Sequence, residues 1–157
     1  MKAKSYPHKC PNCRAQALFP AVEDTTVERL HDGRHFIVSV PNLDVSRCTV
    51  CAEGTWSYDS AGRIDDALRV AAGILMPADI LAERLRLGVT PGDIAAQLDV
   101  TEAEYSRWES GGQFQSRATD KLLRIYFADP NHFSRFKDWP RVPVSVPQAE
   151  PLRLVDV

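Results

Sequence analysis

All four cysteines of this 157-residue chain fall in two identical pairs, Cys10-x-x-Cys13 and Cys48-x-x-Cys51. A pair spaced in this way forms a knuckle whose turn aims both sulfurs at one point. Two knuckles supply the four soft ligands, at about 2.3 Å, that tetrahedral zinc prefers. Pro11 and Asn12 give the first knuckle the residues a tight turn wants. The cofactor expected is one structural Zn2+ per chain on Cys10, Cys13, Cys48 and Cys51. Four thiolates close the coordination shell, so the site offers no open position for catalysis. Other chemistries also use paired cysteines. A disulfide framework belongs to an oxidising compartment, whereas the N-terminus carries Lys2, Lys4 and Lys9 and no apolar signal core. A redox Cys-x-x-Cys normally comes singly beside a βαβ pattern, and an iron–sulfur centre takes the same four thiolates. His8, two residues before Cys10, is a further donor that could replace a thiolate.

These ligands need elements to hold them. The 34 residues between Cys13 and Cys48 exceed the usual ~15–20 residue spacing of two knuckles, so they must form structure of their own. Thr25–Leu30 and Arg34–Val40 are β-branched and partly alternating, and they flank Asp32-Gly33, a strong hairpin signal. Pro41-Asn42 is read as the stop of the second strand. His31 and His35 are expected at the hairpin surface. Residues 1–58 thus read as a small zinc ribbon-like β domain, and so short a segment buries little apolar surface, a reason to recruit a metal.

From Asp59 the period becomes helical, with Ile64, Leu68, Ala71, Ala72 and Leu75 recurring on one face of a connecting helix, residues 59–76. Residues 77–137 then read as an all-α domain, giving an α+β chain overall. Pro77 opens a helix with Ile80, Leu81 and Leu85 on one face, ending near Gly88. Thr90-Pro91-Gly92-Asp93 is a helix start, with Thr90 as N-cap and Pro91 at the first helical position. That helix stops at Asp99, and Thr101-x-x-Glu104 has capping-box spacing for the next. Two short helices joined by so few residues describe a helix-turn-helix. Tyr105 and Trp108 read as its core anchors. A helix from Ser116 to Phe127 is expected to bury Leu122, Leu123 and Tyr126, and a last one spans Pro130 to Lys137. Residues 138–157 form a Pro-rich tail.

In a helix-turn-helix the start of the second helix enters the major groove of DNA. The outward residues here are Thr101, Glu102, Ala103, Ser106 and Arg107. The fork of Arg107 can donate twice to guanine, worth about 1–3 kcal/mol of discrimination. Gln113, Gln115, Ser116 and Arg117 lie at the next loop-to-helix junction, where amides and an arginine clamp a phosphate. Residues 77–137 carry eight Lys or Arg against nine Asp or Glu, and the whole chain has net charge −2. Such a domain does not coat nucleic acid indiscriminately; it needs a dimer and a defined operator. No nucleophile–base pair or phosphate loop is present, so an enzyme is not expected. No apolar run approaches the ~20 residues of a membrane span, and the expected location is the cytoplasm.

Two knuckles around a hairpin, a connecting helix, and then a helix-turn-helix ending Ser106-Arg107-Trp108-Glu109-Ser110-Gly111 resemble the MqsA antitoxin family over about residues 9–137. That family joins a YgiT-type zinc finger to an Xre/Cro-like domain. The resemblance implies an N-terminal domain that neutralises a ribonuclease-type toxin. It implies a C-terminal domain that forms a homodimer and binds a palindromic double-stranded operator, repressing its own operon. Arg107 matches the family's recognition-helix arginine; Ala103 replaces the asparagine four residues before it and can contact only a thymine methyl. The alternative is a stand-alone regulator of the same build with no toxin partner.

Overall fold

The computed structural model describes residues 6–131 and 133. They form a mixed α+β chain in which a four-stranded antiparallel sheet is followed by five helices. The strands are β1 (His8–Lys9), β2 (Gln16–His31), β3 (Arg34–Cys48) and β4 (Gly54–Trp56), and they lie in that order across the sheet. The long β2–β3 hairpin turns at Asp32 and Gly33, with φ of 50° and 72°. Two consecutive left-handed residues are what a two-residue type I′ turn requires, and the register His31↔Arg34 closes it.

Pro41-Asn42 does not end the strand. Asp24 stands opposite both residues, between the pairs Glu23↔Leu43 and Thr25↔Val40, so they form a bulge and β3 runs on to Cys48. Asn42 sits at φ 49°, its N–H donates to Asp24 Oδ1 at 2.9 Å, and Arg63 Nη1 and Nη2 donate to the Asn42 and Pro41 carbonyls at 2.7 Å each. The extra residue shifts the alternation of β3 by one. Val38 and Val40 are therefore buried ahead of the bulge, and Leu43 and Val45 after it, all on the same side of the sheet.

Helix α1 (Tyr58–Ala72) lies against that side. Ser57 caps its start by accepting from the Ser60 N–H, and Gly73, at φ 69°, closes its end. Ile64 packs with Val40, Leu43 and Val45, while Ser60 Oγ donates to the Asp44 carbonyl at 2.6 Å. Burying an aliphatic side chain of this size contributes roughly 1.5–3 kcal/mol.

The remaining helices are α2 (Pro77–Leu87), α3 (Pro91–Leu98), α4 (Glu102–Glu109) and α5 (Arg117–Ala128). Their common core holds Ile80, Ile94, Ala95, Tyr105, Trp108, Leu123, Tyr126 and Phe127. Leu81 and Leu85, expected beside Ile80, are instead 38 % and 62 % exposed: α2 turns Ile80 inward and uses Arg84, one turn on, for a paired contact. On α5 Phe127 takes the buried place expected of Leu122, which faces outward. His31 also departs from expectation. Its ring lies 5.6 Å from that of Phe114 and 6.4 Å from that of Phe36, and its Nε2 is buried. His35 is exposed and pairs with Glu28 at 2.6 Å. Of the last helix, residues 130, 131 and 133 are helical, and Phe133 meets the Tyr126 ring at 5.6 Å. Its continuation to Lys137 and the Pro-rich tail lie outside the described residues.

Candidate functional site

The two knuckles repeat one backbone pattern. Cys10 N–H donates to the Ala15 carbonyl and Arg14 N–H to the Cys10 carbonyl, at 2.8 and 3.0 Å; Cys48, Glu53 and Ala52 repeat both bonds at the same lengths. Each turn requires a left-handed residue at its fifth position, and Arg14 (φ 64°) and Ala52 (φ 58°) supply it. Antiparallel pairing of β2 and β3 then places the knuckles at one end of the sheet, with Leu18 opposite Cys48. Arg47 ties the second knuckle down, donating to the Ala52 carbonyl at 2.9 Å and to the Glu23 carboxylate.

All four Sγ atoms lie within 4.8 Å of one another. Cys10 and Cys51 are 3.6 Å apart at sulfur, as are Cys13 and Cys48. A tetrahedron of sulfurs at about 2.3 Å from a central ion has edges of about 3.8 Å, so the donor set fits a closed tetrathiolate metal centre. Val50 N–H points at Cys48 Sγ from 3.4 Å and the Asn12 side-chain amide at Cys51 Sγ from 3.7 Å. Such donors stabilise thiolate charge. The Cys51 and Val50 amides draw the Cys48 thiol down to about 7. The Ala15 amide pulls Cys13 the same way, but burial and the three neighbouring thiols outweigh it and push Cys13 up to about 12. Four sulfurs this close cannot all be charged without a cation among them, which is the electrostatic case for a metal here.

The second group of candidate residues lies on α3 and α4. Thr90 accepts from the Asp93 N–H at 3.2 Å, and the Asp93 carboxylate accepts from the Thr90 N–H and hydroxyl at 2.8 and 2.6 Å. Those Thr90 donors hold the Asp93 carboxyl below the usual carboxylate range. Asp99, at φ 57°, turns the chain between the helices. Thr101 caps α4 by accepting from the Glu104 N–H at 3.2 Å. The return half of the expected capping box is absent: Glu104 does not reach the Thr101 N–H.

Tyr105 and Trp108 are buried to 0 % and 2 % exposure, which fixes the roll of α4 and turns Thr101, Glu102, Ala103 and Arg107 to solvent, with Ser106 half-exposed. Burial, and next the Glu109 carboxylate, hold the Tyr105 phenol above its ordinary range. Arg84 fastens α2 to α4, with Nε and Nη2 donating to Glu109 Oε1 and Oε2 at 2.5 and 3.3 Å. The structure thus brings five of the candidate residues onto one exposed helix face.

The following loop is arranged otherwise. Gln113 is exposed, and its N–H donates to the Arg107 carbonyl at 3.2 Å. Gln115 is fully buried, and its Nε2 donates to the Leu75 carbonyl at 2.9 Å and to Asp120 Oδ1 at 3.2 Å. It is a structural residue and leaves the set of surface candidates. Its partner Asp120 lies five residues on, a spacing that does not mark two residues as neighbours, so the sequence pattern carries no sign of this contact. Ser116 caps α5, accepting from the Thr119 N–H at 3.0 Å. The Arg117 N–H donates to Asp32 Oδ2, at 3.2 Å, from the tip of the β2–β3 hairpin.

No protein-family model matches the chain, and no curated protein matches it. Among the described residues no helix is long and apolar enough to cross a membrane.

Proposed function

We propose that this protein is a zinc-containing antitoxin of MqsA type and a DNA-binding repressor of its own operon. The observation that carries the reading is the order of the two sites: a tetrathiolate centre on a zinc ribbon-like sheet, then a helix-turn-helix, α3 and α4, whose second helix bares Thr101, Glu102, Ala103, Ser106 and Arg107. Zinc on Cys10, Cys13, Cys48 and Cys51 is a scaffold for the hairpin. The chemistry of recognition belongs to the exposed face of α4, with Arg107 the base reader and Gln113 beside it at the backbone. A homodimer through the helical domain would set two such helices on the halves of a palindrome. The hairpin domain is then the surface for a ribonuclease-type toxin.

The test is an electrophoretic shift of the DNA upstream of its own coding sequence by the full zinc-loaded chain. Arg107→Ala is expected to abolish specific binding while the fold persists, because Arg107 is exposed and forms no side-chain bond that the core needs. Unchanged binding by that variant would refute the assignment of the reader. Copurification of the chain with the product of a neighbouring gene tests the toxin half of the proposal independently.

A further inference from the structure

The two long edges of the sheet are finished differently. On the β3 side, β4 pairs with residues 45–47, α1 packs along the strand, and Arg63 holds the Pro41 and Asn42 carbonyls. On the β2 side, β1 pairs with Gln16 and Leu18, and from residue 19 to residue 31 no strand follows among the described residues. Pro20 marks the break, since it has no N–H to give.

The turn fixes which backbone groups face outward. In a two-residue hairpin the closing pair, His31 and Arg34, exchanges both of its backbone bonds. Arg29 and Val27 therefore also face β3, while Leu30, Glu28, Thr26, Asp24 and Val22 turn their N–H and C=O groups away from it. Two bonds agree with this phase. The Ala17 carbonyl, on the same alternation as Arg29, accepts from the Thr49 N–H, just past β3, at 3.0 Å, and the Glu28 carbonyl accepts from the Arg29 guanidinium at 3.2 Å. The extra residue of the bulge belongs to β3, so the alternation of β2 is unbroken. Residues 22–30 thus present a row of outward donors and acceptors, a template for another strand.

The side chains along this edge select what can pair with it. Val22, Asp24, Thr26, Glu28 and Leu30 are all exposed, on the side of the sheet away from α1. Asp24 accepts from the Asn42 N–H and Glu28 pairs with His35, and neither carboxylate meets a Lys or Arg among the described residues. A second copy pairing antiparallel about Thr26 would set Asp24 of each copy against Glu28 of the other. Like charges directly opposite disfavour that self-pairing and leave the edge to a strand of opposite charge. At one end Ile37, the exposed diagonal neighbour of Leu30, widens the apolar surface. At the other, a cavity of about 500 Å3 opens between Tyr6, Pro20, Val22 and Ser46.

We propose that residues 22–30 accept an extended segment of a partner protein as an added strand. The segment carries Lys or Arg opposite Asp24 and Glu28, a β-branched residue opposite Thr26, and apolar residues opposite Leu30 and Val22, the last seated in the cavity. Main-chain bonds supply the affinity and the alternate side chains the choice of partner. The inference rests on the reading of the hairpin domain as the partner-binding half of the chain, and adds the edge used and the chemistry the partner brings.

The experiment titrates the full zinc-loaded chain with a labelled peptide that has Leu, Lys, Val, Lys and Val at alternate positions and Thr between them. Binding is followed by fluorescence anisotropy and by amide hydrogen exchange, and a control peptide has Glu in place of both Lys. The Lys peptide is expected to bind about tenfold more tightly, as two cross-strand pairs change from repulsion to attraction. It should slow exchange at Asp24, Thr26 and Glu28, while Val27 and Arg29, bonded to β3, change little. Thr26→Pro removes an outward donor and leaves the β2–β3 ladder whole, and should weaken the peptide about three- to tenfold. Equal binding of the two peptides, binding without protection of the alternate amides, or no binding would overturn the proposal. So would edge amides already protected in the chain alone, because another part of the chain or a second copy would then cover the edge. If a neighbouring gene's product copurifies equally with the wild type and Thr26→Pro, the partner reading stands and the edge assignment fails. If no such product binds while the Lys peptide does, the toxin reading fails and the edge remains an acceptor for a basic strand.

Discussion

The Arg84–Glu109 pair is the contact whose removal should be felt most in the helical part. Its side chains are 15 % and 11 % exposed, and two hydrogen bonds of 2.5 and 3.3 Å join them. At an effective dielectric near 20 and a separation near 3 Å the attraction is about 5 kcal/mol, much of it offset by the desolvation of both ions. Replacing Glu109 by Leu leaves the Arg84 charge with only the Val89 carbonyl, at 3.2 Å. That should cost about 3 kcal/mol, the lower end for a broken buried pair because both groups keep some water.

For a helical unit of this size the loss corresponds to a fall in Tm of about 12–24 °C, read by far-UV circular dichroism. The double variant Arg84→Met with Glu109→Leu removes both charges and should recover most of the loss. The reasoning fails if Glu109→Leu costs less than about 1 kcal/mol, or if the double variant is as unstable as the sum of the two single ones. Because the pair fixes α4 to α2, the single variant should also weaken any binding that depends on Arg107.

Metal content should be one zinc per chain. Cys48→Ser should lose it and unfold the sheet while helical signal from α2–α5 persists, and an ordered, metal-free sheet with all four cysteines intact would refute a structural metal. Apparent zinc affinity should fall as the pH drops. With the metal-free thiol of Cys48 at about 7 and that of Cys13 at about 12, protons compete with the metal at neutral pH, most strongly below about 7; affinity independent of pH in a chelator titration would contradict this. Gly92→Ala should raise stability by about 0.5–1 kcal/mol from helix propensity. The closest atom to the new Cβ would be the end of the flexible Glu102 side chain, 3.2 Å away, which can move aside, with Thr90 Oγ1 in ordinary contact at 3.8 Å. A destabilised variant would mean that Glu102 is held at the start of α3 more firmly than its geometry indicates.

Local chemistry made much of this structure readable. The knuckle spacing, the Asp32-Gly33 turn, the Thr90 and Thr101 caps and the inward Tyr105 and Trp108 all depend on residues within a turn of one another, and all stand as read except the return bond of the Thr101 capping box. What escaped depended on residues far apart. Pro41-Asn42 looks like a strand stop until Arg63, about twenty residues on, holds both carbonyls of the bulge. Gln115 looks like a surface residue until Leu75 and Asp120 close over it. Leu81 and Leu122 look like core residues because they are apolar, whereas the roll of α2 and α5 turns Ile80 and Phe127 inward instead. The left-handed Arg14 and Ala52 carry no residue-type signal, since the knuckle hydrogen bonds impose that conformation on whatever stands there.

The bulge at Pro41-Asn42 works as a phase setting for everything distal to it. With the extra residue in place, His31 faces Phe114, while Leu30 and Ile37 look outward at 66 % and 77 % exposure. Val40 and Leu43 are three positions apart yet share a face, because Pro41 and Asn42 together fill the one place opposite Asp24. A strand of the same length with no residue bulged out would turn Val38 and Val40 outward and bring Ile37 and Ser39 inward. Deleting Asn42 is the change the faces tolerate: it restores strict alternation and leaves every side chain on its side, while losing the contacts of Asp24 and Arg63 with that residue. The spare residue is thus what lets a strand of this length show one apolar side along its whole run.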